Sequence, residues 1–590
     1  MPESYWSNVL SRRLTRRRAF AATGATSFAA AFLAACGGGG GSSDQPEDPS
    51  GLLAPRVDET SKGVPGGIMP DNHGANFVSI DPNTTFNGAA FALLAPVYST
   101  LVKYGKAVGS YPSPDTISGD AAESWETSPD GLTVTYKLRA NHKFDQRPPT
   151  NGRAMNAQDV QFSWDRSVAL SSIMADVLRS KSPTGVIDSL TTPDSGTVQL
   201  KLAEPYGGIQ ETLAYWYLYI APVEADSRFD PKAEARGSGP FFLDRWEPSV
   251  QMQYKKNPDW YVKDRPFLDG FTKLFITEQA TSDAQFEAKG LWFSSMTQPD
   301  VILRMKRDHG ELEMRQQAKG GAPGSYPLLF GAKFAKDVRL RQAVSMLMDR
   351  EAMIDAQYNT NVWSDAGLNV TTFWDGHLNN SAINWIDPSG DELGDGSKYF
   401  QFNVEEAKKL LSAAGYKGEN VVFNFRANFG PLNIPEIAAG MLTNGGLKIE
   451  LKPHDANSWR TLKESYGAGF DDLLWSTANS YNDDGFLATK YTTGGKDKVT
   501  SEAIPRITED VLKMRREMDN KKRNDMIKEI QRDLAVEMPD VPLVSTQPSL
   551  GYELNWPWLR NRVFTVPGFN SNASSARPYT DYWYDRSKQT

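Results

Sequence analysis

Two adjacent acid pairs, Asp471-Asp472 and Asp483-Asp484, are the residues in this 590-residue sequence that most invite a chemical reading. Paired carboxylates serve as general acid and base only at a set separation across a cleft. Neighbouring residues usually point apart, so neither pair is expected to be catalytic. Other signatures are missing: there is no GxSxG elbow, no HExxH and no Walker A loop. Gly494-Gly495-Lys496 lacks the preceding glycine and the following Ser or Thr that cradle a phosphate. The five histidines, His73, His142, His309, His377 and His454, are scattered without HxxxH spacing. The single cysteine, Cys36, excludes an intramolecular disulfide and a cysteine zinc site. No catalytic residue, no metal and no cofactor is expected, and the histidines read as surface or hydrogen-bonded groups.

Composition bounds the partners. The net charge is -8, and without the first 36 residues, which hold Arg12, Arg13, Arg16, Arg17 and Arg18 against Glu3, it is near -12. An acidic body argues against a nucleic-acid partner, because phosphate binding needs a basic face. With 39% hydrophobic residues there is material for at least two large cores. The 15 Trp, 22 Tyr and 28 Phe serve those cores and, in part, a ligand cleft.

The amino terminus sets the compartment. Residues 1–18 are polar and basic, and Ala19 to Ala35 form an apolar run too short and weak for a transmembrane helix. The pattern is that of a signal peptide. Arg17-Arg18-Ala19-Phe20 resembles a twin-arginine export motif, the alternative being an ordinary basic leader. Leu33-Ala34-Ala35-Cys36-Gly37 resembles a bacterial lipobox, in which the cysteine carries a diacylglycerol; the competing reading is a buried or reactive thiol. Acyl chains hold a protein at a membrane by about 0.8 kcal/mol per buried CH₂. Five glycines, Gly37 to Gly41, open a Ser-, Pro- and acid-rich stretch to about Pro65 that reads as a flexible tether.

Elements in the body follow from periodicity. Ser128-Pro129-Asp130-Gly131 is a turn signal, and Thr133 to Arg139 alternates with Val134, Tyr136 and Leu138 on one face. Thr197 to Leu202 alternates likewise, which predicts one small sheet for both. Asn156 opens a helix to about Ser167. Asn403 caps a helix that Gly415 closes, with Ala407, Leu410, Leu411 and Ala414 on one face. Further helices are predicted from about Asp337 to Gln357 and from Ile504 to Glu537, the second broken near Asn520. Strand-like Val421–Phe425 and Leu447–Leu451 flank a helix near Ile434 to Leu442, a β-α-β order that predicts an α/β lobe with parallel pairing.

Several stretches together resemble the bacterial extracellular solute-binding proteins of family 5, which include the oligopeptide, dipeptide and nickel receptors of ABC importers. They are Ala121 to Glu126 with Asp130-Gly131-Leu132-Thr133 and Leu138-Arg139; Phe144-Asp145; Asn156 to Val160 with Phe162-Ser163-Trp164; Gly237 to Phe241; Asn257 to Tyr261 with Pro266 to Asp269; Asp337 to Ala343 with Asp349-Arg350-Glu351; and Glu406 to Leu411 with Ala414-Gly415-Tyr416. Gln146 to Met155 is longer than the family's usual loop.

The resemblance implies an α/β, bilobed, periplasmic-binding-protein-like fold of type II with an extra subdomain and a two-strand hinge. Its expected parts are a signal peptide with lipobox over 1–36, a linker over 37–66, a first lobe over 67–280 with an insertion at about 100–195, a second lobe over 281–540, and a return to the first lobe over 541–590. It implies no enzyme. The expected role is an extracytoplasmic lipoprotein, monomeric, that hands a peptide or similar medium-sized solute to the membrane subunits of an ABC permease. A lipid-anchored hydrolase and a permease-independent sensory binding protein are the alternatives. In oligopeptide receptors an aspartate after a cleft tryptophan pairs with the peptide amine. Here Thr477 stands for that tryptophan and Ser480 for the aspartate, so the clamping charge is missing, and Asn479 or Asp483 is the available substitute. Trp459, Asn479, Ser480 and Tyr481 are expected as cleft walls, with Trp475 able to turn into the core and Asn87 facing the cleft from the first lobe.

Overall fold

The computed structural model describes residues 50–589, apart from 75–78, 85–92, 106, 109–115, 172–173, 175–176, 215–217, 295–297, 317–323, 369–371, 379–383, 428–433, 466–468, 477, 480–481, 496–503, 550–551, 563 and 566–577. The expected leader, Cys36 and most of the glycine-rich tether lie outside the described residues.

The first lobe is built on a four-stranded sheet. Ile68–Asn72 runs parallel to Gly270–Leu274, and Gln251–Lys256 and Phe241–Glu247 follow antiparallel. The predicted small sheet is present: Ala122–Thr127, Thr133–Leu138, Thr197–Leu202 and Ile187–Asp194 pair in that order, all antiparallel. Alternation puts Val134, Tyr136, Val198 and Leu200 on its buried face. Helix Ala157–Leu170 packs beside it, started by a capping box between Asn156 and Asp159. The turn at Gly237 is forced by close approach, since a Cβ there would meet the Val97 carbonyl oxygen at 1.9 Å.

The second lobe carries a seven-stranded mixed sheet. Its main path runs Thr372–Trp374, Asp540–Ser549, Gly324–Phe330, Leu473–Trp475, Asn420–Arg426 and Lys448–His454, with Ala478–Asn479 pairing Gly324–Phe330. The β-α-β unit is as the sequence predicts: Asn420–Arg426 and Lys448–His454 are parallel, joined through helix Ile434–Asn444. Helix Val404–Ala413 has its Asn403 cap, and the long C-terminal helix is two, Pro505–Arg516 and Asn520–Glu537.

The continuous helix expected from Asp337 to Gln357 is instead Val338–Met346 followed by Arg350–Tyr358. The break comes where the Asp349 carboxylate accepts from the Ala352 amide at 3.0 Å and starts a new helix. This break explains the Asp-Val-Arg-Leu-Arg and Asp-Arg-Glu motifs. Arg341 donates to the carbonyls of Glu537 and Met538, and Gln342 to that of Val536 at 2.8 Å. Arg350, fully buried, donates to the carbonyls of Pro542 at 3.0 Å and Phe400 at 2.7 Å. Three side chains thus satisfy the carbonyls around the left-handed residue Met538, just before strand Asp540–Ser549.

The boundaries differ from those expected. Strand Glu313–Gln316 pairs with Tyr552–Asn555, and Phe286, Ile302, Met305 and Met314 belong to the first lobe's core. The chain therefore leaves the first lobe after Gln316, not near 280, and returns after Ser549, not at 540. The tether also ends sooner than 66. Leu53 bridges to Met314, the Ala54 amide donates to the Met314 carbonyl at 2.7 Å, and the Glu59 amide donates to Asn561 at 2.8 Å. Apolar Leu52 and Leu53 dock on the first core. The insertion's sheet runs on to Leu202, past 195.

A buried ionic group holds the second lobe. Asp540 pairs with Lys490 at 3.3 Å and His377 Nδ1 at 3.0 Å, and accepts from the Tyr491 hydroxyl at 3.1 Å. Burial opposes its charge, yet Lys490 and His377 hold its carboxyl down at about 2. Burial also lowers the His377 pKa, against the pull of Asp540. Both groups bind fewer protons folded than unfolded, so stability rises with pH. His377 loses stability as pH falls below about 6.5, its ordinary value. Asp540 loses it further between about 4 and about 2. Asp540→Asn leaves Lys490 buried without its counter-charge and is expected to cost about 3–5 kcal/mol. Thermal unfolding of wild type and variant at neutral and mildly acidic pH checks both statements.

Candidate functional site

The strands Asn420–Arg426, Lys448–His454 and Leu473–Trp475 are parallel, so their carboxyl ends share one edge of the sheet. Strand Gly324–Phe330 is antiparallel and brings its amino end to that edge, pairing Leu328 with Trp475, Ser325 with Ala478 and Gly324 with Asn479. Gly324 is the first described residue of the second lobe, after Gln316 of the first, and Ser549 is its last before Tyr552 of the first. This edge of the sheet therefore faces the first lobe, the usual place for a ligand in an open α/β sheet.

Helix Ala456–Glu464 starts at the same edge, capped by Asp455, whose carboxylate accepts from the Asn457 and Ser458 amides. It carries Trp459, 7% exposed, whose indole Nε1 donates to the Trp475 carbonyl at 2.9 Å. Trp475 is fully buried and stacks on Tyr326 with ring centroids 5.1 Å apart. Burial pushes the Tyr326 phenol up to about 12. The two tryptophans thus form a packed layer under the edge, with Arg426 and Lys463 at 5.9 and 5.6 Å from the Trp459 ring.

Asn479 is placed by its backbone, paired with Gly324 beside the crossing. Ser480, Tyr481 and Asn87 lie outside the described residues. Asp483 accepts from the Asn384 amide and side-chain amide, both at 2.9 Å, so its carboxylate is already engaged. The other acid pair is structural: Asp472 accepts from the Val422 amide at 2.8 Å and pairs with Lys333 at 3.2 Å. Among the described residues no three His, Cys, Asp or Glu side chains are grouped to hold a metal ion, and no helix is long and apolar enough to cross a membrane.

Immediately after the candidate walls, the second lobe meets the first across a polar seam. Asn482 caps helix Asp483–Tyr491 with its oxygen, and its Nδ2 donates to the Tyr206 hydroxyl at 3.2 Å and Thr212 at 3.0 Å. The Tyr206 hydroxyl donates to Asp484 Oδ1 at 2.9 Å. Arg523 pairs with Glu211 at 3.1 Å. Arg515 lies 4.9 Å over the Tyr206 ring and donates to the Thr184 carbonyl at 2.8 Å, while its own carbonyl accepts from the Gly207 amide at 3.1 Å. Only glycine fits at 208, where a Cβ would stand 2.2 Å from Asp484 Oδ2. Sequence reasoning missed this seam; the Tyr206-Gly207-Gly208 step after a strand was its one signal.

The family model for bacterial extracellular solute-binding proteins, family 5 Middle, matches residues 116–498, and the chain belongs to that family. It is 25% identical over 457 residues to di/tripeptide-binding protein 1 of Pseudomonas aeruginosa, covering 72% of this chain and 79% of that protein. Among solved structures it is similar to a periplasmic binding protein, DppA, from Helicobacter pylori in complex with the peptide STSA. That match has a TM-score of 0.67 and 17% identity, over 89% of this chain and 99% of that one. It is also similar to the binding protein AgaA from Agrobacterium tumefaciens R10 in complex with agropinic acid, with a TM-score of 0.66, 20% identity, and 88% and 99% covered. These likenesses establish the bilobed type II binding-protein fold.

The tryptophan layer yields a prediction. Trp459→Ala empties a packed, hydrogen-bonded site and is expected to cost about 3–5 kcal/mol. Trp459→Phe, which loses chiefly the bond to Trp475, is expected to cost about 1 kcal/mol. Chemical denaturation of the two variants, followed by tryptophan fluorescence, measures both.

Proposed function

We propose that the chain is the extracytoplasmic receptor of an ABC importer, held at a membrane through Cys36, which encloses a peptide or similar medium-sized solute between its lobes. The observation that carries this reading is a sheet edge that faces the other lobe beside both crossings, in a family of solute-binding proteins. Asn87, Asn479, Ser480 and Tyr481 are the proposed walls, with Trp459 and Trp475 packed beneath them. Binding is then a shift between open and shut lobes, and no group need make or break a bond.

The ligand class is peptide-like but not tied to a free amine. Ser480 replaces the aspartate that clamps a peptide amine in oligopeptide receptors, and Asp483 is committed to Asn384. A buried ammonium without a counter-charge costs several kcal/mol. The relatives' range, from a di/tripeptide-binding protein to one complexed with agropinic acid, supports a small solute with several polar groups.

Native mass spectrometry of the full chain, purified without unfolding and then offered di- and tripeptides with free and with acetylated amino ends, is expected to show one solute bound per chain, the acetylated forms at least as well as the free ones. Hydrolysis of those peptides by the pure protein, or the lack of any bound mass, would overturn the reading. Cys36→Ser is expected to move the protein from the membrane fraction to the soluble one.

A further inference from the structure

The lobes touch in two chemically different ways. Near the crossings the contact is apolar: Trp363 and Leu368 join the first lobe's core, and the Trp363 ring lies 4.7 Å from Tyr552. At the seam the contact is polar and charged. Apolar contact near a hinge persists as a pivot, whereas a polar face can part and be rehydrated at little cost.

We propose that the Tyr206–Thr212 segment and the cluster of Asn482, Asp484, Arg515 and Arg523 form a closure latch, and that shutting it takes up one proton on Glu211. The proposal rests on the reading of the chain as a receptor whose lobes open and shut.

The charges that face Glu211 explain why. From helix Asp483–Tyr491 come Asp483 and Asp484; from helix Asn520–Glu537 comes Arg523. Arg515, from helix Pro505–Arg516, sits across Tyr206 and is turned to the Thr184 carbonyl. On Glu211's own segment, Tyr206 and Thr212 are neutral hydrogen-bonding groups. Among the described residues, three carboxylates thus face two guanidiniums, one surplus negative charge. Asp483 is held by Asn384. Asp484 Oδ1 accepts from the Tyr206 hydroxyl, while its Oδ2 is buried without a hydrogen-bond partner against Gly208. With the lobes apart, water solvates each carboxylate and the surplus costs little. With the lobes shut it is buried, and a proton from solvent on Glu211 cancels it.

Glu211 follows this logic: burial above all, then Asp484 and Asp483, push it up to about 8 against the pull of Arg523. The shut form therefore binds more protons than the open form between about 4.5, the ordinary glutamate value, and about 8. The latch is strongest at the acid end of that window, weakens as pH rises through it, and is flat above.

Hydrogen exchange read by mass spectrometry tests this on the solute-free full chain between about pH 6 and about pH 8, corrected for intrinsic exchange. The Gly207 amide, which crosses the seam to the Arg515 carbonyl, is the reporter. In wild type its protection is expected to fall about tenfold or more over that range, since one titrating group changes an equilibrium by up to about tenfold per pH unit. In Glu211→Gln it is expected to stay level, while strand Gln251–Lys256 is unchanged in both. Level protection in wild type, or an undiminished slope in Glu211→Gln, would overturn the proposal. Should Glu211→Gln lose protection in Gln251–Lys256 as well, Asp484→Asn replaces it: removal of that carboxylate must flatten the slope, and an unchanged slope overturns the latch. Because no solute is present, a protein that binds nothing can still show the latch, and a failed latch leaves solute capture standing.

Discussion

Each lobe buries most of its own apolar surface, because among the described residues the chain changes lobe between Gln316 and Gly324 and again between Ser549 and Tyr552. Most of the structure follows from that constraint. The first lobe gathers its core from residues as distant as Met69 and Tyr582, and the second from Tyr326 to Leu543. The two segments that cross must then be fixed on both sides. In the second lobe Arg341, Gln342 and Arg350 do this by holding carbonyls between Val536 and Pro542. In the first lobe, pairing of Glu313–Gln316 with Tyr552–Asn555 does it, reinforced by Arg315, which donates to Asn555 at 2.5 Å.

That constraint also orders the candidate site. Strand Gly324–Phe330 lies between Asp540–Ser549 and Leu473–Trp475, so everything at its amino end is drawn toward the crossings. Asn479 arrives there through the backbone ladder, and Trp459 through a helix that begins where its strand ends. A seam of hydrogen bonds and ion pairs starts three residues later, at Asn482. In the proposed receptor, recognition and closure are therefore neighbours in the chain, with the candidate wall Asn479 three residues before the seam residue Asn482.

Local features were readable from residue order alone. The Asn156 and Asn403 caps, the β-α-β unit and the alternation of Thr133–Leu138 each depend on neighbours within a few positions. The break before Arg350 was not readable, because Leu347 continues the apolar spacing and only the Asp349 cap interrupts it. The crossings were misplaced because they depend on a pairing between residues more than two hundred positions apart. The resemblance makes Trp459 a cleft wall; its burial in a hydrophobic cluster, with its indole bonded to the Trp475 carbonyl, is not revealed by spacing. Tyr206, Glu211 and Arg523 have the look of solvated surface, and only the meeting of two lobes makes them a seam. The resemblance to a known family carried the overall architecture, since its motifs mark turns and carbonyl-holding arginines rather than a ligand.

The chemical character of the seam has a consequence for turnover. Oil-like faces, once pressed together, would stick, and a receptor so built would remain shut whether loaded or empty. Ion pairs and hydroxyl contacts give up water as they form and recover it as they part, so they add little net adhesion. In the proposed receptor the empty molecule then samples both shapes at small cost, and a modest contribution from the cargo tips the balance. Release to a downstream acceptor needs only that contribution to be withdrawn, which suits a carrier that must load and unload many times.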